Sequence, residues 1–100
     1  MVRISPQVSV FLVRLARQVN QSLQECRVAG VFGSEGVSDL TCIMVDLRTA
    51  GDELRLRITV SYDAFVDNDI LSSSLKERLA SHGYSDALLA LIDVVSEEDE

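Results

Sequence analysis

The sequence contains few of the side chains on which metal and catalytic sites depend. Among 100 residues there are one histidine, two cysteines, one proline and no tryptophan. Cys26 and Cys42 are not at the short spacing of zinc ligands, and His82 has no second histidine with which to share a metal ion. Without a secretory signal, we expect both thiols to be buried and reduced. A disulfide between them would require the end of the first helix to lie across a strand.

Basic residues are also scarce. Nine lysines and arginines oppose sixteen acidic residues, and the formal net charge is −7. Because neutralising phosphates requires clustered Lys and Arg, this composition argues against direct nucleic-acid binding. The segment Met1–Gln24 holds three arginines and no acidic residue, so the whole negative charge lies in the rest of the chain.

Long apolar runs are missing as well. No segment approaches the ~20 apolar residues of a membrane span. The run Val8–Val13 ends at Arg14 and is too short for a secretory signal. We therefore predict a cytoplasmic protein that does not bind membranes. The acid-free segment Met1–Gln24 also fits a mitochondrial transit peptide, although a packed N-terminal helix explains the same charge asymmetry.

Apolar residues, in contrast, are plentiful at 47% of the chain. This fraction excludes disorder of the whole chain, and the length fits a single α+β domain spanning 1–100. The segment 96–100 consists of Ser96 followed by four acids. Because acids oppose the dipole at a helix C-terminus, we expect 96–100 to be a frayed acidic tail.

The clearest local pattern predicts a β-hairpin. Apolar and polar residues alternate from Leu54 to Tyr62 and again from Ile43 to Leu47, which is the period of a half-buried strand. A four-residue loop, 49–52, would join the strands. The register then pairs Leu47 with Leu54, Val45 with Leu56, Ile43 with Ile58, Asp46 with Arg55 and Arg48 with Glu53. The strand over 54–62 would have a solvent-exposed outer face, formed by Arg55, Arg57, Thr59 and Ser61.

A long amphipathic helix is predicted from Pro6 to about Cys26. Ser5 can cap it, and proline suits the first helical position. The apolar residues that recur every three or four positions are Val8, Leu12, Leu15, Val19, Leu23 and Cys26. Val10 and Phe11 widen the apolar sector beyond what contact with one sheet needs. We therefore treat both as candidate interface residues, with burial on two sides of the helix as the alternative.

The strand that begins near Leu40 has apolar residues on both faces near its beginning, because Leu40, Cys42 and Met44 alternate with Ile43 and Val45. Such a strand is predicted to be central, with one face covered by the first helix. Its other face would be covered by a further group, such as another copy of the chain. Leu40 and Met44 are accordingly candidate interface residues.

Three further elements are predicted. A short strand is expected over Arg27–Phe32. A second helix is expected over 69–82, capped by Asp67 or Asp69 and ended by Gly83, with a later start at Ser74 as the alternative. The run 87–95 is predicted to be helix, although its end could pair as an edge strand.

Together these elements predict an α+β fold. The sheet would be small and antiparallel, with about three strands. The order would be helix-strand-strand-strand-helix-helix, with the helices packed mainly on one face.

Two motifs associated with ligands fail on their spacing. The glycines of 30–36 lack the lysine of a phosphate-binding loop and the G-x-G-x-x-G pattern. The acids of 63–69 fail the calcium-loop pattern, because Leu71 and Ser72 occupy positions that require a ligand and a glycine. We therefore predict no catalytic residue, no cofactor and no metal site.

These observations favour a non-enzymatic protein-binding module, such as an adaptor, assembly factor or chaperone-like protein, acting as a homodimer. The order of elements resembles that of small homodimeric secretion chaperones, a similarity of fold alone. One alternative is an acidic inhibitor that occupies a nucleic-acid-binding or basic-protein site, as phage and plasmid antagonists do. A remote alternative is a small enzyme that uses Cys26, Cys42 or His82.

Overall fold

The computed structural model describes residues 6–30, 40–62 and 67–97. These residues form three helices and three strands, which are α1 (Pro6–Val28), β1 (Leu40–Ala50), β2 (Glu53–Tyr62), α2 (Asn68–Ser81), α3 (Asp86–Leu89) and β3 (Ile92–Ser96). The prediction of an α+β fold with a three-stranded sheet and helices packed on it is confirmed.

Helix α1 follows the predicted apolar spacing and continues two residues beyond Cys26. Its buried residues are Leu15, Val19, Ser22, Leu23 and Cys26. The strand predicted over Arg27–Phe32 is wrong at its beginning, because Arg27 and Val28 belong to α1. Arg27 lies in the last turn of α1, where the helix dipole favours a basic residue. Positions 31 and 32 and the predicted Ser5 cap lie outside the described residues.

Strands β1 and β2 form the predicted antiparallel hairpin, but its loop has two residues instead of four. The loop is Gly51–Asp52, and Ala50 pairs with Glu53. Gly51 has a φ of 64°, and a glycine at the first loop position permits the tight turns that suit a hairpin.

The predicted register is therefore wrong by two residues. The observed pairs include Leu47 with Leu56, Val45 with Ile58, Asp46 with Arg57 and Arg48 with Arg55. From Met44 onwards, a shift of two leaves each side chain of β1 on its predicted face, because the side-chain period of a strand is also two.

A β-bulge at Ile43 interrupts the pairing. Cys42 pairs with Val60 and Met44 with Thr59, so Ile43 is an extra residue in β1. The bulge changes the phase of the alternation. Cys42 and Val45 consequently contribute to the core, whereas Met44 is exposed. The bulge therefore explains why consecutive residues near the start of β1 are apolar.

The prediction that β1 is the central strand is wrong. The strand order is β1-β2-β3, which places β2 in the centre. Strand β3 lies parallel to β2, from Leu56 paired with Ile92 to Val60 paired with Ser96. The sheet is thus mixed, where an antiparallel sheet was predicted. The helices between β2 and β3 form a crossover connection, which brings the chain back to the end of the sheet where β2 begins. Strand β3 can therefore run parallel to β2.

The helix predicted over 87–95 is correct only for its first residues. Helix α3 ends at Leu89, and β3 begins at Ile92. β-branched residues dominate the end of this run, and they favour a strand that can pair with β2. Ser96, predicted to begin a frayed tail, is buried at the end of β3. Glu97 is exposed, and 98–100 lie outside the described residues.

The second helix begins where it was predicted. The carboxylate of Asp67 accepts hydrogen bonds from the N–H groups of Asp69 and Ile70, at 2.9 and 3.3 Å. This N-cap rules out the later start at Ser74. Gly83, with a φ of 96°, ends α2 as predicted.

Helices α1 and α2 pack on one face of the sheet, as predicted, and enclose one hydrophobic core. Fully buried residues of α2 recur every four positions at Leu71, Leu75 and Leu79. The sheet contributes Leu40, Cys42, Leu56, Ile58, Val60, Ile92 and Val94. The other face of the sheet is less wet than predicted, because Thr59 is only 2% exposed.

Candidate interaction surfaces

The structure separates the four predicted interface residues. Val10 is 50% exposed and Met44 is 44% exposed. Phe11 is half-buried and packs against the core, and Leu40 is 1% exposed within the core. Val10 and Met44 therefore leave apolar surface exposed, whereas Leu40 is covered by its own chain.

Strand β1 lies at one side of the sheet, so half of its backbone polar groups point away from β2. At the start of β1, side chains of α1 bind these groups. The N–H of Cys42 donates to Oδ1 of Asn20 at 2.7 Å, and Nε2 of Gln24 donates to the carbonyl oxygen of Leu40 at 2.8 Å. Helix α1 therefore closes this end of the sheet edge.

Among the described residues, none covers the remainder of this edge in the same way. The N–H of Leu56 donates to the carbonyl oxygen of Leu91 at 2.9 Å, away from β1. In an antiparallel pair of strands, two residues that lie directly opposite each other either both direct their N–H and C=O groups towards each other or both direct them away. Leu47, the partner of Leu56, therefore directs its groups away from β2, and so do Val45 and Thr49. Among the described residues, none forms a hydrogen bond with these outward groups. We name Val45, Leu47 and Thr49 the open edge.

The opposite side of the sheet is better protected. Strand β3 has only five residues. Nδ2 of Asn68 donates to the carbonyl oxygen of Val94 at 3.0 Å, on the outer side of β3. A short edge strand with one of its outward carbonyl groups already bound is less suited to pairing with other chains. Of the two sides of the sheet, β1 is thus the one suited to accept a further strand.

Exposed side chains of α1 lie beside the open edge. Val13 precedes Asn20 by seven residues, and Arg17 precedes Gln24 by seven. Seven residues are about two helical turns, so Val13 and Arg17 lie on the same side of α1 as the amides that bind β1. Val13 is 54% exposed. We name Val10, Val13 and Arg17 the helix stripe; together with Ser9 and Arg14 they line a shallow depression.

Charged side chains follow β1 on the outer face of the sheet. Arg48 lies opposite Arg55, a like-charged pair that destabilises a sheet. Arg55 in turn binds Asp93 at 2.6 Å and Glu53 at 2.9 Å. This hydrogen bonding by Arg55 lowers the pKa of Asp93 below its usual range. Within residues 6–30, 40–62 and 67–97, no ion pair is formed by Asp46 or Arg48.

A second surface lies where the end of α1 meets the end of α2. Nε2 of His82 is 3.0 Å from a carboxylate oxygen of Glu25. A broad, open depression nearby is lined by Gln21, Gln24, Glu25, Val28, Ala29 and Arg78. Val28 is 82% exposed at the end of α1. The Glu25–His82 contact joins the two helices.

The two cysteines are buried and free, as the sequence predicts. Burial raises the pKa of Cys42 to about 11, and burial also raises the pKa of Cys26. Because the thiolate is the reactive form, both thiols are poor nucleophiles at neutral pH.

The described part of the chain holds no group of three His, Cys, Asp or Glu residues placed to bind a metal ion. In the same residues, no helix has the length and apolarity needed to cross a membrane.

No family model, curated protein or solved structure matches the chain in the three comparisons made with known proteins.

The roles of Asn20 and Gln24 at the sheet edge were not predicted from the sequence. A signal was present, since each directly follows a buried residue of α1, Val19 or Leu23. An amide side chain that directly follows a buried residue lies at the border of the apolar face of α1. From there it can reach the backbone of the neighbouring strand, β1. The Arg55–Asp93 pair was missed because Asp93 was assigned to a helix.

Proposed function

We propose that the chain is a non-enzymatic protein-binding module that acts as a homodimer in the cytoplasm, in the class of adaptors, assembly factors and chaperone-like proteins. The open edge of β1 carries this proposal. Outward N–H and C=O groups on an edge strand bind another strand through main-chain hydrogen bonds. No described side chain covers these groups at Val45, Leu47 and Thr49.

Exposed apolar side chains next to this edge give further support. Val10 and Val13 are each about half exposed on the adjoining side of α1. Apolar groups that adjoin unpaired backbone groups are typical of a surface that another protein covers. The raised pKa values of Cys26 and Cys42 count against the cysteine-dependent enzyme. The acidic-inhibitor alternative retains only the net charge in its favour.

Size-exclusion chromatography with light scattering tests the homodimer. We expect a mass of twice the chain mass of 11.0 kDa at micromolar concentrations, with dissociation on dilution. A strict monomer at high micromolar concentration would contradict the proposal. Addition of a strong chelator should leave the mass unchanged, because the proposed association uses backbone and side-chain contacts alone.

A further inference from the structure

We propose that two copies of the chain join through the open edge of β1, antiparallel, with the two-fold axis at Leu47. The two three-stranded sheets would become one continuous sheet of six strands. This inference rests on the proposed homodimer and names its surface and its register. The partner is therefore a second copy of the same chain.

The backbone geometry permits this register. A symmetric antiparallel pairing about Leu47 places Leu47 opposite Leu47 of the second copy, and Val45 opposite Thr49 of the second copy. All three residues direct their polar groups outward, so each of these pairs can exchange hydrogen bonds. The two-fold axis generates the Val45–Thr49 pair twice, so with the Leu47 pair there are three hydrogen-bonded pairs. About six inter-chain hydrogen bonds result, two for each pair.

The charges of β1 select this register over its neighbours. With the axis at Leu47, Asp46 lies opposite Arg48 of the second copy, and the symmetry repeats the pair. These are non-hydrogen-bonded positions, where side chains approach most closely. An axis at Asp46 would place Asp46 opposite itself, and an axis at Arg48 would place Arg48 opposite itself. Like charges directly opposite each other are destabilising.

Both charged residues are available for this contact. Within the described residues, neither Asp46 nor Arg48 forms an ion pair. Arg48 faces Arg55 in its own chain, and Arg55 is already bound to Asp93 and Glu53. Asp46 of the second copy would therefore supply a carboxylate that no described residue of its own chain provides to Arg48.

The helix stripe extends the interface beyond the strands. A two-fold axis perpendicular to the sheet places both α1 helices on the same face of the joined sheet. Each presents Val10, Val13 and Arg17 on the side that adjoins the axis. Pairing of five residues alone covers only part of the roughly 1,600 Å² that a stable interface buries. Contact between Val13 and its counterpart adds apolar area to it.

The self-complementary charges allow a test by exchange. Asp46→Arg gives a chain with arginine at both positions, and Arg48→Asp gives a chain with aspartate at both. In each homodimer two repulsive pairs replace two attractive pairs. We expect the dissociation constant of either variant to rise at least about tenfold, which corresponds to about 1.4 kcal/mol.

Mixing the two variants should restore association. In the heterodimer every arginine lies opposite an aspartate, so we expect a one-to-one complex at concentrations where each variant alone is monomeric. Native mass spectrometry distinguishes the heterodimer from both homodimers. Formation of the heterodimer also shows that each variant is folded. Glu77→Arg, a charge reversal at an exposed position of α2, is the control and should leave the wild-type dimer intact.

The outcomes separate the two proposals. If the wild-type protein is monomeric, the proposed homodimer fails. If the wild-type protein and both variants dimerise equally, the homodimer stands and the β1 register is overturned. If both variants become monomers that fail to combine, the charge pairing between Asp46 and Arg48 is likewise overturned.

Discussion

Thr59 is a polar residue in the middle of the central strand, on the face opposite the helices. Its side chain is 2% exposed, and no hydrogen-bond partner for its Oγ1 is present in the part of the chain that the structure describes. Its cross-strand neighbours are Met44 and Val95. A buried hydroxyl without a partner lowers the stability of the folded state, because its hydrogen bonds to water are lost on folding.

Thr59→Val is therefore expected to raise the free energy of unfolding by about 1 kcal/mol. Valine has a similar shape, favours strands and leaves no polar atom unsatisfied. Urea denaturation at fixed protein concentration measures the change. A loss of stability would show that the hydroxyl makes a favourable interaction.

Among the acidic residues that the structure describes, Asp93 has a shifted pKa, so its protonation affects stability. Hydrogen bonding to Arg55 lowers its pKa in the folded protein. A carboxyl group with a lowered pKa stabilises the fold above its unfolded value of about 3.9. That contribution is lost as the pH falls from there through the lowered pKa, because the unfolded chain then binds the proton more readily.

Asp93→Asn should thus be less stable than the wild type at neutral pH. The difference should shrink as the pH falls through the acidic range, because protonation removes the ion pair from the wild type as well. Thermal melts at a series of pH values provide the measurement. Asp52→Asn, in the hairpin loop, is the matched control. If the difference in stability between Asp93→Asn and the wild type stays constant with pH, the ion pair between Asp93 and Arg55 does not account for it.

Among the secondary-structure elements, α1 and β1 are joined by two side-chain hydrogen bonds. Asn20 accepts from Cys42, and Gln24 donates to Leu40. Cys42 and Leu40 are buried, so these backbone groups have little access to water. The two amides thus fix the helix against the edge strand at its protected end.

Asn20→Ala should lower the free energy of unfolding by about 1–3 kcal/mol, the cost of leaving a buried N–H without an acceptor. Gln21→Ala is the matched control, since Gln21 is the exposed neighbour on the same helix. We expect the control to change stability by no more than about 0.5 kcal/mol. Equal effects of the two substitutions in chemical denaturation would exclude a specific role for Asn20.

The elements themselves follow from local patterns, with instructive exceptions. The bounds of α1 and α2 agree with the apolar spacing and with the Asp67 cap. The hairpin register was wrong because the alternation is unchanged by a shift of two residues. The phase change at Ile43 and the two-residue loop at Gly51 decide that register, and both depend on how the strands meet.

For the whole molecule, the proposed pairing of two copies couples folding to association. If the dimer is the more stable form, its melting temperature should rise with protein concentration. Asp46→Arg should melt at a temperature that does not depend on concentration, because its charges oppose pairing. Differential scanning calorimetry over a range of concentrations measures both. A wild-type melting temperature independent of concentration would count against the dimer.

The candidate surface was predictable only in part. Val10 and Met44 were identified because they exceed the needs of the core, and both are exposed. Leu40 was not distinguishable from them, since its burial depends on where α1 crosses β1. The open edge itself was hidden, because β1 was predicted to be central.

The sequence alone determined the α+β class, the two long helices and the faces of the hairpin strands beyond the bulge at Ile43, because periodicity and capping act through neighbouring residues. Tertiary structure decided that Ile92–Ser96 is a strand parallel to β2 and that β1 is an edge. Those outcomes depend on which distant segments pair, and a short run of β-branched residues is compatible with more than one partner. The sheet edge that carries the proposed function is therefore a product of packing.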